Sequence, residues 1–324
     1  MNEFRRYDAR DRELSVPDDG LTRLVNATQL SGLLYPVLCP AIETGSQFGY
    51  WPILDMPPRY EDLRRAPGAA PRQIGVSVST IGYFNQGYAL TIATPLEDAA
   101  NVDQFKRYEA SLALAGGNIM KIGGEVQVGS LLAASTTIST PTVIGSSWSG
   151  TGRAFQNVEA AVNLLEDGGS FRSSLVLAFG KTAYRAYTSN SSTIAAYQGW
   201  ITPERIAERH RVRQVVVAEA PRDSAGEGFT YAPEAIFDDI IIVTTQPANQ
   251  EDIFAQRHAA RSYWRPKGSG ASIPGQYLVE KLDIDSKEKS RGIMISEYSG
   301  LVVLDPRLAV TIRGCNSSQS GGWV

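Results

Sequence analysis

Three short segments of this 324-residue chain hold residue types that could do chemistry. Phe179-Gly180-Lys181-Thr182 lies between a predicted strand and a predicted helix, where a phosphate-binding loop would sit. That motif needs another Gly five positions before its second one, and Leu175 stands there, inside the strand. No loop remains to cradle phosphates, so the segment reads as a strand-to-helix turn. Gly145-Ser146-Ser147-Trp148-Ser149-Gly150 has the texture of a nucleophile elbow, yet none of its serines is flanked by Gly on both sides at the required spacing. It reads as a polar loop. His210 and His258 lie far apart, each in basic company (Arg209 and Arg211; Arg257 and Arg261), and no H-E-x-x-H pattern or Cys cluster exists. The carboxylate pairs Glu97-Asp98 and Asp238-Asp239 are adjacent residues that do not converge on one site. A helix N-terminus and a strand start explain them. The inventory therefore yields no catalytic residue, no cofactor site and no metal site, and the chain is expected not to be an enzyme.

Composition narrows the classes further. Hydrophobic residues make up 43% of the chain and aromatics 9%, enough for a sizeable core. Charged residues make up only 20%, which suits a surface covered by partners. The net charge is −3, so the basic excess of a phosphate-gripping protein is missing. The aromatics are dispersed without basic interleaving, which argues against a base-stacking platform. Two cysteines, Cys39 and Cys315, cannot form a disulfide framework and read as small buried hydrophobes of a reducing compartment. Residues 1–20 contain ten charged residues and resemble no signal peptide. The best apolar stretch, Leu21 to Leu38, is broken by Arg23, Asn26, Gln29 and Pro36, so no membrane span is expected. The reading is a soluble protein made in a cytoplasm.

The elements that would carry any site fall into five pieces. Residues 1–45 are a charged arm followed by Leu21, Leu24, Val25, Leu33 and Leu34 at partial helical spacing. The arm is either a solvated tail leading into a short docking helix or a strap laid along a neighbouring subunit. In residues 46–93, Gln73 to Thr80 alternates, with Ile74, Val76, Val78 and Thr80 on one face. Phe48 to Met56 could pair with it across a tip rich in Pro and charge. Such a two-stranded hairpin is marginal alone. Either it joins a larger sheet or it reaches another chain. Residues 94–150 open with Thr94-Pro95-Leu96-Glu97, which predicts a capped helix start. Val102, Phe105, Leu112, Ile119, Ile122 and Val126 recur near helical spacing, and the far end of this single long helix is expected to kink or fray at Gly116-Gly117 and Gly123-Gly124. Residues 151–260 read as a compact α/β unit, with helices at Val158–Glu166, Lys181–Tyr187 and from Thr202 to His210. Its strands are predicted at Ser174–Phe179, Arg213–Ala218 and Asp239–Thr244. Residues 261–324 are mostly β, with strands predicted at Tyr277–Ile284, Ile293–Tyr298, Leu301–Leu304 and Leu308–Ile312, then a Ser/Gly-rich tail.

The order of these pieces resembles the major capsid protein of tailed bacteriophages, an α+β architecture of the Hong Kong 97 type. The resemblance spans almost the whole chain and rests on order and texture more than on an invariant motif. Tyr88-Ala89-Leu90-Thr91-Ile92-Ala93 leading into the long helix looks like that family's approach to its spine helix. Ser173 to Gly180 between two helices, and Ile201 to Glu208 followed by Gln214 to Ala218, look like its helix–strand runs. The resemblance implies an N-terminal arm (1–45), an E-loop hairpin (46–93) and a spine helix with the first part of a P-domain (94–150). A mainly A-domain segment (151–260) and closing P-domain strands with a tail (261–324) complete it. It implies pentamers and hexamers of this chain in an icosahedral head around double-stranded DNA, bound without sequence specificity. Portal, scaffolding and cement proteins are implied partners, the virion is the implied location, and the host cytoplasm is the place of assembly. An encapsulin-like compartment, which encloses cargo enzymes, shares the fold and is the alternative. Arg5, Arg6, Arg59, Glu61, Asp62, Arg64 and Arg65 are the expected intersubunit contacts. Two features depart from some members. Residues 46–93 hold no Lys, so no isopeptide cross-link is expected there. Only about 45 residues precede the hairpin, so a separate scaffolding protein, or none, is expected.

Overall fold

The computed structural model describes residues 15–28, 30–54, 78–95, 105–133, 140–143, 148, 152–223, 230, 232–247, 255–266, 275–285 and 290–315. The chain opens with β1 (Ser15–Pro17) and α1 (Asp19–Ala27), whose first turn is capped by Asp18 accepting from the Leu21 amide at 2.9 Å. α2 (Tyr35–Leu38) and β2 (Ala41–Thr44) follow. β3 (Phe48–Leu54) and β4 (Val78–Phe84) pair antiparallel, and β5 (Gln86–Pro95) continues β4 after a break at Asn85. Next come α3 (Phe105–Ala133), β6 (Thr140–Val143), α4 (Ala154–Asp167) and β7 (Leu175–Phe179). Three short helices, α5 (Lys181–Ser189), α6 (Ser191–Tyr197) and α7 (Pro203–His210), precede β8 (Gln214–Val217), β9 (Pro221–Asp223) and β10 (Pro233–Ala235). The chain closes with β11 (Ile240–Thr245), β12 (Ala259–Trp264), β13 (Leu278–Asp285), β14 (Ser290–Val303) and β15 (Ala309–Arg313).

Two sheets share one helix. The first has the order β1-β13-β14-β12-β2, with β5 also paired to β14. The second has the order β6-β15-β11-β7-β8. α3, 29 residues and about 43 Å long, serves both. Ala113 packs with Val25, Val279, Ile293 and Ile295 against the first sheet. Val128 and Leu132 pack with Leu34, Leu38, Phe237, Ile240 and Ile242 against the second. The second sheet is buried on both faces, which explains its unbroken apolar strands. Leu175, Leu177, Phe179, Ile241 and Val243 face the helices α4 to α7, while Ala178, Ile240 and Ile242 face α2 and α3. Each such Leu, Ile or Val removed from water is worth about 1.5–3 kcal/mol.

The structure corrects several expectations. Thr94 and Pro95, predicted as a helix start, are extended, and residues 96–104, into which that start would run, lie outside the described residues. Thr94 and Pro95 end β5, opposite Arg291 and Ser290 of β14. Among the described residues β5 pairs on one side only and Pro95 is its last residue, a strand position that tolerates Pro. The described helix begins at Phe105 and passes through both Gly doublets without ending. Three of those glycines, all but Gly123, are contact points: a Cβ on Gly116 would meet Ile295 at 2.5 Å, one on Gly117 would meet Val25 at 2.7 Å, and one on Gly124 would run into Arg261. Ile293–Tyr298 and Leu301–Leu304 form one 14-residue strand, β14. Gly300 is no turn: the Phe84 carbonyl lies against it, where a Cβ would clash. Ala309–Arg313, whose partner the sequence left open, pairs in the second sheet between β6 and β11. α6 was not foreseen, because only Ile194 and Tyr197 of its seven residues are large and apolar, too few to show a periodicity.

Candidate assembly surface and the polar centre behind it

The β3–β4 hairpin bonds to no other strand among the described residues and is fixed by its base. One face docks. Trp51, 3% exposed, packs with Ile42 and Ala260, flanked by Ile81 and Tyr83. The joint is Asn85, fully buried, whose side-chain amide donates to Thr44 Oγ1 at 2.9 Å and to the Ser46 carbonyl at 3.3 Å. Its Oδ1 accepts from Ser262 Oγ at 2.6 Å, and its backbone amide donates to the Gln47 carbonyl at 2.8 Å. One residue thus ties hairpin, β2 and β12 together. The other face is bare. Phe48 is 71% exposed, Tyr50 77% and Phe84 60%, with Val78 on the same side by the pairing Phe48–Phe84 and Leu54–Val78. The alternation at Val78 and Thr80 therefore turns outward, and Ile81 and Tyr83 of the opposite phase bind the sheet. An apolar aromatic face of this kind marks a partner surface.

A second exposed anchor sits on the α/β unit. Trp200 is 89% exposed on the turn between α6 and α7. Gln198 there has a left-handed φ of 50°. Arg205 pins the turn, donating to the Trp200 carbonyl at 2.6 Å and the Tyr197 carbonyl at 3.0 Å.

Behind these surfaces α3 carries two buried ionic residues that hold the N-terminal segment. Lys121 Nζ donates to the carbonyls of Val25 (2.9 Å) and Thr28 (2.5 Å), which are orphaned acceptors at the end of α1. One turn later, the Glu125 carboxylate accepts from the Leu34 amide (2.8 and 3.0 Å) and the Tyr35 amide (2.7 Å) at the start of α2. The spine helix thus supplies a cation to one helix end and an anion to the next. Beside them Arg261 of β12 is fully buried. Its Nη2 donates to Glu297 (2.7 Å) and Ser299 (3.1 Å), its guanidinium lies 5.2 Å from the centre of the Tyr35 ring, and Nε and Nη1 have no hydrogen-bond partner among the described residues. Gln276 donates to the other oxygen of Glu297 at 2.8 Å. Gly124 is the gap in α3 that admits the guanidinium.

The residues singled out for chemistry take structural posts. Asp238 Oδ1 accepts from the Thr182 amide at 3.2 Å and from its hydroxyl. A carboxylate thus fills the place a phosphate would need, and the carbonyl of Asp238 lies against Gly180. Of the Ser/Gly loop, Trp148 is described; it is buried, and its carbonyl accepts from Asn190 at 2.7 Å. His210 is fully buried: its Nδ1–H donates to Glu159 at 2.6 Å and its Nε2 accepts from Tyr187 at 2.9 Å. Burial holds this imidazole below its ordinary range, against the pull of Glu159. His258 Nδ1 bonds the Asp305 carbonyl at 3.0 Å. Cys39 and Cys315 are buried free thiols, and burial pushes Cys39 up to about 12. No group of three or more metal-ligating side chains occurs among the described residues. No helix among them is long and apolar enough to cross a membrane.

Arg5, Arg6, Arg59, Glu61, Asp62, Arg64 and Arg65 lie outside the described residues. Asn85, Phe48, Tyr50, Phe84 and Trp200 were missed by reading the sequence. For Phe48 and Phe84 a signal existed: both flank the alternating stretch, but alternation does not say which phase faces out. Lys121 and Glu125 carried the weaker signal of two opposite charges four apart in an apolar helix.

No family model and no curated protein matches this sequence. Solved structures do resemble it. A phage-related protein from Bordetella bronchiseptica RB50 matches at 16% identity and a TM-score of 0.69, over 93% of this chain and 97% of that one. The capsid structure of cyanophage P-SCSP1u matches at 14% and 0.56, over 90% of each chain. A virus-like particle from Pyrococcus furiosus matches at 12% and 0.54, over 94% and 100%. The chain has the Hong Kong 97-type α+β fold.

Proposed function

We propose that this chain is the major coat subunit of a tailed double-stranded DNA bacteriophage, assembling as pentamers and hexamers into an icosahedral head. The observation that carries the proposal is the β3–β4 hairpin: a rigidly based strand pair whose Phe48, Tyr50 and Phe84 stay bare on the isolated subunit. The fold, shared with a phage capsid structure, supplies the context. On this reading the bare face is covered by a neighbouring copy, and Trp200 makes a second contact between copies. Arg5 and Arg6 of the arm and Arg59, Glu61, Asp62, Arg64 and Arg65 of the hairpin tip also reach neighbours. Exposed ion pairs add about 0–1 kcal/mol each, so closure rests on weak contacts multiplied by symmetry. The net charge of −3 suits a container that does not grip its DNA. Portal, scaffolding and cement proteins are the further partners of such a shell.

The likeness to a virus-like particle favours a second reading, a protein-filled compartment. Expression followed by light scattering, negative-stain microscopy and analysis of contents separates the two. Closed megadalton shells or rings of five or six support a shell protein, DNA inside supports the phage head, and cargo protein supports the compartment. A monomer that stays monomeric beside its co-expressed neighbouring genes overturns both. The triple variant Phe48→Ser/Tyr50→Ser/Phe84→Ser is expected to leave subunit stability within about 0.5 kcal/mol, as surface changes do, and to abolish closed shells. Deletion of residues 57–71 is expected to do the same, and normal shells from either variant would count against the hairpin as a contact.

A further inference from the structure

We propose that Glu125 is a proton-operated latch on residues 28–40: uptake of one proton there tightens the segment against α3, and its loss loosens it. The carboxylate is fully buried, yet no cation pairs with it among the described residues. Lys121, one turn away on the same helix, is directed to the carbonyls of α1, and Arg261 of β12 is directed to Glu297 of β14. Only the amides of Leu34 and Tyr35 serve Glu125. The other titratable groups around this centre are Tyr35 and Cys39 on the docked segment and Tyr277 before β13. Burial pushes all three up, so they remain neutral across the neutral range.

The docked segment turns on a glycine and is tied by one backbone bond to the chain just after β8. Gly32 in its middle has φ +78°, and its carbonyl accepts from the Glu219 amide at 3.0 Å. Beside it a cleft of about 620 Å³, lined by Leu30, Ser31, Ile119, Ile122, Ala220 and Pro221 together with the charged Glu219 and Arg222, offers room for displacement. Burial lifts Glu125 from 4.5 to about 7, against the hydrogen bonds from Leu34 and Tyr35. When the segment opens, the carboxylate meets water and returns to its ordinary range. The closed state therefore holds the proton more tightly. Its advantage is full at low pH and is lost as pH rises through about 7, so opening becomes about tenfold more frequent between about pH 6 and pH 8.5.

Hydrogen–deuterium exchange of the full chain, corrected for intrinsic rates, tests this. Protection of amides in residues 30–40 is expected to fall about tenfold over that range, with a midpoint near 7. Protection in β7 and β11 is expected to stay level. Glu125→Gln should flatten the profile, and Lys121→Met should lower protection equally at both ends of it. A flat wild-type profile, a midpoint a full unit away from 7, or an undiminished slope in Glu125→Gln overturns the latch. The first two readouts need no variant, so the test stands even if Glu125→Gln folds poorly.

Discussion

Arg261 is a cation without water, held by one carboxylate, one hydroxyl and one aromatic face. Removing one partner of such a pair leaves a lone buried charge, a cost of about 3–5 kcal/mol. Arg261→Met should therefore destabilise the chain by that amount in urea unfolding. Arg261→Met/Glu297→Met should recover most of it, because the desolvation penalty leaves with the pair. A double variant as weak as the single would refute this account. His210 offers the opposite pH sign to Glu125. It is neutral in the fold and titrates below 6.5, so the unfolded chain takes up the proton first as pH falls. Its contribution is present above 6.5 and is lost below it. His210→Gln should flatten part of the loss in unfolding free energy between about pH 7 and pH 5.5. His258, also depressed by burial, carries a parallel share. Neither role was legible in the sequence, where both histidines showed only basic neighbours and their acceptors lay at distant positions.

At the scale of elements, α3 shows why adjacent glycines in one helix are not equivalent. A Cβ on Gly123 meets nothing within 4 Å, whereas one on Gly124 runs into the Arg261 guanidinium. Gly123→Ala should stabilise by about 0.5–1 kcal/mol through helix propensity alone. Gly124→Ala should destabilise by about 1–3 kcal/mol through overpacking. Thermal unfolding of the pair measures both, and equal effects would show that the close approach of Arg261 is unimportant. The sequence marked these positions correctly as exceptional and misjudged why. Gly doublets read as kinks when only local propensity is considered, but here they let Arg261 and Val25 approach the helix axis. At Thr94 and Pro95 a related limit applies: a capping pattern is a local preference, and the ten-residue pairing of β5 with β14 holds these two residues extended, while residues 96–104 lie outside the described residues.

At the scale of the whole molecule, the hairpin is the part whose structure makes little sense on a lone subunit. It is anchored by Asn85 and Trp51, paired in a ladder with no further strand among the described residues, and coated with aromatics on its outer face. If it contacts neighbouring copies in a shell, the hairpin offers no Lys amine for an isopeptide bond, since residues 46–93 contain no Lys. Mature particles on a denaturing gel should therefore run as a single unlinked band. A ladder of linked subunits would show that another residue supplies a cross-link.

By itself the sequence determined the fold class, most of the elements and the absence of a recognisable catalytic constellation. These follow from apolar periodicity, turn residues and motif spacing, all of which act within a few residues. The α/β unit was read almost strand by strand because its double burial writes continuous apolar runs into the chain. Tertiary structure alone decided which face of the hairpin is bare, that β14 is one strand, that β15 returns to the second sheet, and that Lys121 and Glu125 hold two helix ends. Each of these depends on which distant backbone or charge comes to lie against a residue. Local pattern cannot encode that, because packing and desolvation act only once the chain has closed on itself.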